Sequence, residues 1–129
     1  MHDALKEVQF SPDRPVTRLL HDAPEMRVVV FGLEAGQEVP PHTVPVRVMM
    51  HVLQGKGVFL TGKGEEPAYP GAFAVTEPNE PHGLKAAERT VIGTAWRAVA
   101  LPAVAFALLV LESSAWRYTP WDPLTADLT

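Results

Sequence analysis

The sequence predicts an all-β fold, and two observations support that prediction. Thirteen prolines and nine glycines divide the 129 residues into short apolar runs, which is the pattern of many short strands joined by turns. Helical periodicity is scarce, since only residues 3–8 suggest a short helix and Pro12 and Pro15 end it. A domain of about eight short strands closes most economically as a jelly-roll barrel.

Six segments are the clearest strand candidates. Residues 28–31 are β-branched or aromatic without interruption, which predicts a strand buried on both faces. Gly55 and Gly57 suit a tight hairpin, and residues 61–67 are expected to form a polar hairpin loop. The six candidates are 27–33, 46–53, 57–61, 72–76, 90–96 and 103–112, with weaker ones at 16–20 and 82–85.

Length and composition indicate one domain over residues 1–129, with a core at about 27–112 and an aromatic tail at 113–129. The longest apolar run, 98–111, contains Pro102 and is too short to cross a bilayer, so no membrane association is expected. The mixed, charged start does not resemble a secretory signal, and a cytoplasmic protein is expected. Few Asn and Gln residues hint at a heat-adapted source, although codon bias gives the same pattern.

Composition also excludes several kinds of chemistry. The chain has no cysteine, so disulfides, thiolate metal sites and cysteine nucleophiles are excluded. The net charge is −4 and no run of Lys or Arg occurs, which argues against nucleic-acid binding. Phosphate loops, dinucleotide fingerprints and serine nucleophile elbows are absent from the sequence.

Two glycine-framed motifs contain the candidate site. In the first, five residues separate Gly36 from His42, and Val44, Val48 and Gly55 follow with one, three and six residues between successive positions. In the second, Gly71 precedes Pro78, Asn79 and His82, and the motif ends at Ala86. Asn79 is the best substitute for glycine in a left-handed turn.

These motifs resemble those of the cupin superfamily, whose fold is a double-stranded β-helix, the jelly-roll barrel. A typical cupin holds a divalent metal with three His and one Glu. The resemblance gives His42 and His82 as the two retained metal positions, whereas Val44 and Val48 replace the other two. Met50 shares the inward parity of Val48, so the predicted ligand pocket comprises His42, Val44, Val48, Met50 and His82.

Besides an assembly unit with a vestigial pocket, two functions of different classes remain open. One is a binding module for a small, mostly apolar or carboxylate-bearing ligand, in which metal is weak or absent and the two His orient the polar end. The other is a cupin-type dioxygenase or isomerase with a divalent metal held by His42, His82 and an unidentified third ligand, or a metal-free acid–base variant using one of these His.

Several other residues are expected to have ordinary structural roles. His51 has outward parity on its strand, and Arg47 is expected to be a solvated charge. His2 and His21 are expected at the surface. Glu77 and Glu80 precede His82 in a turn and are candidates to reach the barrel mouth. A homodimer is also predicted, through an edge strand or through the tail around Trp116 and Trp121.

Overall fold

The computed structural model describes residues 1–97 of the chain. Within them are one short helix and nine strands. The predicted strand 103–112 and the aromatic tail 113–129 lie outside the described residues, and the single domain over 1–129 therefore stays a prediction. No helix within residues 1–97 is long and apolar enough to span a membrane.

The elements follow one another with short connections. The helix α1 begins after Asp3, whose carboxylate accepts a hydrogen bond from the backbone N–H of Lys6 at its first turn. The elements are α1 (Ala4–Glu7), β1 (Val16–Ala23), β2 (Met26–Leu33), β3 (Glu38–His42), β4 (Val48–Gln54), β5 (Gly57–Thr61), β6 (Gly64–Ala68), β7 (Phe73–Thr76), β8 (His82–Ala86) and β9 (Thr90–Trp96).

The strands form two antiparallel sheets, which confirms the all-β double-stranded β-helix. The five-stranded sheet has the order β1-β2-β9-β4-β7, and the four-stranded sheet has the order β3-β8-β5-β6. Alternate side chains of β4 are buried between the sheets, as a period of two requires: Val48, Met50 and Val52 face inward. The core therefore lies between the two sheets, and its residues come from strands of both.

Strand β2 is buried on both faces, as its continuous apolar sequence predicts. Residues from Val29 to Leu33 are all buried. The N-terminal segment covers the outer side, because a Cβ on Gly32 would collide with the backbone of Gln9 and come within 2.9 Å of Val8 Cγ2. Strand β2 thus packs against the core on its inner face and against the N-terminal segment on its outer face.

The structure corrects the predicted strands in three places. The segment 61–67 is not a long loop, because the chain turns at Thr61–Gly64 and continues as strand β6. Strand β6 is an exposed edge strand, and within the described residues its outer side has no neighbouring strand that needs a backbone N–H donor. Pro67 is therefore tolerated in it. Strand β4 begins at Val48 instead of residue 46. Strand β3 was not predicted, because Pro40 and Pro41 argue against a regular strand and are accommodated here in an irregular edge.

Candidate functional site

A cavity of about 60 Å³ lies between the two sheets, and residues of β3 and β8 form part of its wall. The predicted pocket residues all line it. Its walls are mostly aliphatic and aromatic, and the polar side chains among them are few. The lining residues are Phe31, Val39, His42, Val44, Val46, Val48, Met50, His82, Gly83, Leu84, Ile92, Thr94 and Trp96.

His42 and His82 lie side by side on adjacent strands. They are register partners in the β3–β8 ladder, and their ring centroids are 4.4 Å apart with a tilt of 57°. His82 is 4% exposed and His42 is partly buried. The fold therefore brings together the two histidines that the sequence motifs single out.

A β-bulge turns His42 into the cavity. Three residue steps lead from Val39 to His42 on β3, whereas two lead from Leu84 to His82 on β8. Since side chains alternate along a strand, a regular strand with Val39 inward would point His42 outward. The extra residue comes from the pair Pro40–Pro41, and both Val39 and His42 line the cavity as a result.

Glycine at position 83 makes room for this bulge. A Cβ on Gly83 would collide with the carbonyl oxygen of Val39 and lie 2.9 Å from the nitrogen of Pro41. A side chain larger than hydrogen cannot fit between the two strands at this point without moving their backbones. The lack of a side chain at Gly83 thus permits the bulge that orients His42.

The same local arrangement fixes both imidazole rings. His42 Nδ1 lies 3.0 Å from the carbonyl oxygen of Pro40, and His82 Nδ1 lies 3.0 Å from the carbonyl oxygen of Glu80. A carbonyl only accepts, so Nδ1 carries the proton in each ring, and the neutral ring has its lone pair on Nε2. In both cases a proline, Pro41 or Pro81, separates the His from the accepting carbonyl and restricts the intervening backbone.

Burial keeps both rings neutral. Loss of solvation is the main cause that lowers the pKa of His42 from 6.5 to about 4, and the neighbouring His82 lowers it further. Burial likewise lowers the pKa of His82, partly opposed by the carbonyl and the negative charge of Glu80. At neutral pH the cavity therefore contains two uncharged imidazoles.

The opposite part of the wall is apolar. Val44 and Val48 are 6% exposed and Met50 is 5% exposed, and all three pack in the hydrophobic core as well as against the cavity. The turn containing Asn79 holds Val44 in place, because the Asn79 N–H donates to the carbonyl of Val44 at 2.8 Å. Asn79 adopts φ 66°, the left-handed conformation predicted for it.

These donors do not fit a divalent metal of the cupin type. Such a site needs at least three protein ligands, and the valines at positions 44 and 48 supply none. Within residues 1–97, His and acidic side chains form no group of three or more that could hold a metal ion. The described part of the site therefore offers two imidazole nitrogens and no third protein ligand.

The remaining predicted residues lie away from the cavity lining. His51 faces the outer side of β4, between Phe73 and Gly93 in the sheet register. Arg47 donates to the Glu77 carboxylate at 2.6 Å in an exposed ion pair, which lowers the pKa of Glu77. Glu80 accepts hydrogen bonds from the backbone N–H groups of Glu77 and Gly62, so neither carboxylate reaches the cavity.

The two other histidines are at the surface. His2 and His21 are exposed, as predicted. No partner for His2 was visible in the sequence, but its Nδ1 lies 2.9 Å from the Glu7 carboxylate. Neither residue lines the cavity.

Several lining residues were not singled out from the sequence. On β9, Ile92, Thr94 and Trp96 alternate toward the cavity, and this period of two was visible in the predicted strand. Thr94 Oγ1 donates to the carbonyl of Val29 at 3.0 Å. The contribution of Gly83 had no sequence signal, because it depends on a bulge in a strand that was not predicted.

The similarities to known proteins agree with this architecture. Residues 27–127 match the family described as the AraC-like ligand-binding domain. No curated protein matches the chain. An RmlC-like cupin protein from Desulfovibrio desulfuricans is 31% identical, and the match covers 75% of this chain and 94% of that chain with a TM-score of 0.70.

Two more distant structures share the fold. The protein TT1209 from Thermus thermophilus is 19% identical, with 76% of this chain and 96% of that chain covered and a TM-score of 0.72. The DMSP lyase DddQ from Ruegeria pomeroyi is 21% identical, with 70% of this chain and 50% of that chain covered and a TM-score of 0.63. Since the family match spans most of the sequence, the chain belongs to the AraC-like ligand-binding domain family and, with it, to the cupin superfamily.

Proposed function

We propose that the chain binds a small molecule in the cavity between its sheets and that binding needs no metal ion. The observation that carries this proposal is the combined lining: two neutral histidines at one side, and valines at the two positions where the family's other metal ligands would stand. Concave, mostly apolar pockets with a few oriented polar groups are the usual form of small-molecule sites.

The two walls divide the work of binding. Apolar surface is supplied by Val44, Val48 and Met50. A ligand that covers this surface removes it from water, which favours binding by about 25 cal/mol per Å² of apolar surface buried. His42 and His82 supply hydrogen bonds that fix the orientation of the ligand's polar end. A carboxylate-bearing ligand, one of the two types expected from the sequence, is less suited because neutral imidazoles provide no positive charge.

The test compares binding before and after metal removal. Protein treated with EDTA and then dialysed is titrated with small uncharged alcohols and diols, and binding is followed by NMR shifts of cavity amides. The proposal requires the same affinity in treated and untreated protein. Val48→Phe, which fills the cavity, should abolish binding, whereas the matched exposed substitution Val75→Phe should leave it unchanged.

A metal-dependent enzyme of the dioxygenase or isomerase type is the second candidate. One observation favours it: both rings are neutral with the lone pair on Nε2, which is the form in which His binds a metal. Such an enzyme would need a third metal ligand in addition to His42 and His82, which residues 1–97 do not supply. Loss of binding after EDTA, with recovery on adding Mn, Fe, Ni, Cu or Zn, would favour this candidate over the first.

We also propose that the protein is a cytoplasmic homodimer. The dimer proposal is supported by the edge strand β7, on which Phe73 is 65% exposed and Val75 is 49% exposed. Exposed apolar side chains on an edge strand favour pairing with another chain. Sedimentation velocity of the wild type and of Phe73→Lys tests this, since the substitution should shift the protein to a monomer without changing its fold.

A further inference from the structure

Trp96 lies at one end of the strands that form the cavity. It is the last residue of β9, and its register partner is Val48, the first residue of β4. Both side chains line the cavity. Residues 43–47 join Val48 to His42, the last residue of β3. Since this connection is short and itself contributes to the lining, Trp96 and His42 lie at the same end of the barrel.

Water reaches the cavity at this end. Among the lining residues of the described chain, all are buried except His42 and Trp96, which are partly exposed. A side chain that lines a cavity and also contacts solvent lies where the cavity meets the surface. The entrance for a ligand is therefore beside these two side chains, and Trp96 is the larger of them.

The neighbours of Trp96 hold it in the wall. Register partners in an antiparallel sheet point to the same face, with Cβ atoms about 5 Å apart. Trp96 has Val48 as its partner on one side and Arg27 on the other. Val48 is packed in the core, and the Arg27 Nε donates to the Asp22 carboxylate at 2.8 Å. The indole thus lies between two side chains that are themselves fixed.

The cavity beside Trp96 is small. Its volume is about 60 Å³, whereas an apolar cavity that accepts benzene has roughly 150 Å³. A six-membered ring therefore does not fit while the indole is present. None of the lining residues within 1–97 is Asp, Glu, Lys or Arg, so a charged molecule would lose its hydration without gaining an ionic partner.

We infer that Trp96 sets the upper size of the ligand. With the indole in the wall, the cavity accepts compact, uncharged molecules smaller than a benzene ring and excludes aromatic ones. A smaller residue at this position opens the entrance end, and larger apolar molecules then bind. This inference rests on the proposed function and adds to it the size class of the ligand and the residue that selects it.

The test compares a small probe with a large one in the wild type and in Trp96→Ala. 1-Propanol and indole are each titrated into EDTA-treated protein at neutral pH, and dissociation constants are taken from NMR shifts of cavity amides. 1-Propanol should bind both proteins. Indole, which matches the side chain removed, should bind Trp96→Ala more than about tenfold more tightly than the wild type. Tyr69→Ala removes an exposed ring outside the lining and should leave both affinities unchanged.

The outcomes separate the inference from the proposed function. If indole binds folded Trp96→Ala no more tightly than the wild type while 1-propanol binds both, the inference is overturned and the proposed function stands. Binding of indole to Trp96→Ala without any binding of 1-propanol would support the inference and count against the proposed function. The absence of binding by either probe to either protein would count against both.

A second variant covers the case in which circular dichroism shows that Trp96→Ala does not fold. Trp96→Leu keeps an apolar side chain at the entrance but removes most of the indole, and the probe is then benzene. Benzene should bind Trp96→Leu and not the wild type. Equal behaviour of the two proteins toward benzene would overturn the inference.

Discussion

The two walls of the cavity are built by different means. On the β3–β8 wall, His42 and His82 are placed by backbone devices: a bulge, two prolines and a glycine. On the apolar wall, Val48 and Met50 are placed by the alternation of β4 and by core packing, and Val44 is held in addition by a backbone hydrogen bond from Asn79. The comparison teaches that one cavity can combine polar side chains oriented by irregular backbone with apolar side chains placed mainly by packing.

Of the substitutions that test the difference between the two walls, Gly83→Ala should have the largest effect on stability. The new Cβ would collide with the Val39 carbonyl and force β3 away from β8, so we expect a loss of more than about 3 kcal/mol in the free energy of unfolding. Urea denaturation measures it. Gly71→Ala is the control: Gly71 has a positive φ but open space around it, so the substitution should cost only about 1 kcal/mol.

A second experiment replaces two valines of the apolar wall with metal-ligating residues. The double variant Val44→His, Val48→Glu restores the donor types of the family, and we expect one divalent metal ion per chain, with affinity at least about 100-fold above that of the wild type. Without metal, the buried carboxylate should reduce stability by about 3 kcal/mol. Elemental analysis and calorimetry check both, and Val75→Glu on the outer surface should bring no metal.

Lowering the pH should reduce the stability of the fold through the two buried histidines. The pKa of His42 is about 4 in the folded protein and about 6.5 when unfolded, so the unfolded chain binds more protons between these values. Stability should therefore fall as the pH drops from about 6.5 toward 4 and level off below, and the lowered pKa of His82 acts in the same direction.

Urea midpoints across this pH range measure the loss. Carboxylates with lowered pKa values, including Glu77, also lose their favourable charge in the acid range, so the wild type must be compared with a variant that lacks the titrating ring. His42→Gln does not titrate and should show a shallower decline. An identical decline in both proteins would contradict the pKa assigned to His42.

The smallest effect is expected from Pro81→Ala. The backbone before His82 would become more flexible, and the unfolded chain would gain entropy, for a combined loss below about 1 kcal/mol. The more sensitive readout is the ring itself: ¹⁵N NMR should show a mixture of tautomers for His82 where the wild type has the Nδ1–H form alone. Pro70→Ala, in an exposed turn, should leave the His82 signals as they are.

Much of the fold could be predicted because it depends on local patterns. The strands around Val29, Val52 and Ile92 have the β-branched runs and alternation that indicate strands, and the turn at Asn79 has the residue that a left-handed conformation favours. The expectation that His42 and His82 share one site came from the resemblance of the two motifs to those of cupins. The pocket role assigned to them remains a proposal.

What could not be predicted depends on contacts between distant segments. Strand β3 contains two prolines, and its close approach to the neighbouring strand requires the glycine at position 83. The neutral state of the rings follows from burial, which a sequence does not state. The orientation of the Thr94 hydroxyl in the cavity wall depends on a hydrogen bond to Val29, which lies 65 residues away in the chain.

The bulge at Pro40–Pro41 has a consequence for how much the length of β3 matters to the cavity. Because the bulge absorbs one additional residue, the side chains of Val39 and His42 both line the cavity although three residue steps separate them. Deleting one of the two prolines would leave two steps, which a regular strand also places on one face, so the imidazole would keep its inward orientation without the bulge. The edge strand can therefore lose one residue while the lining of the cavity stays the same.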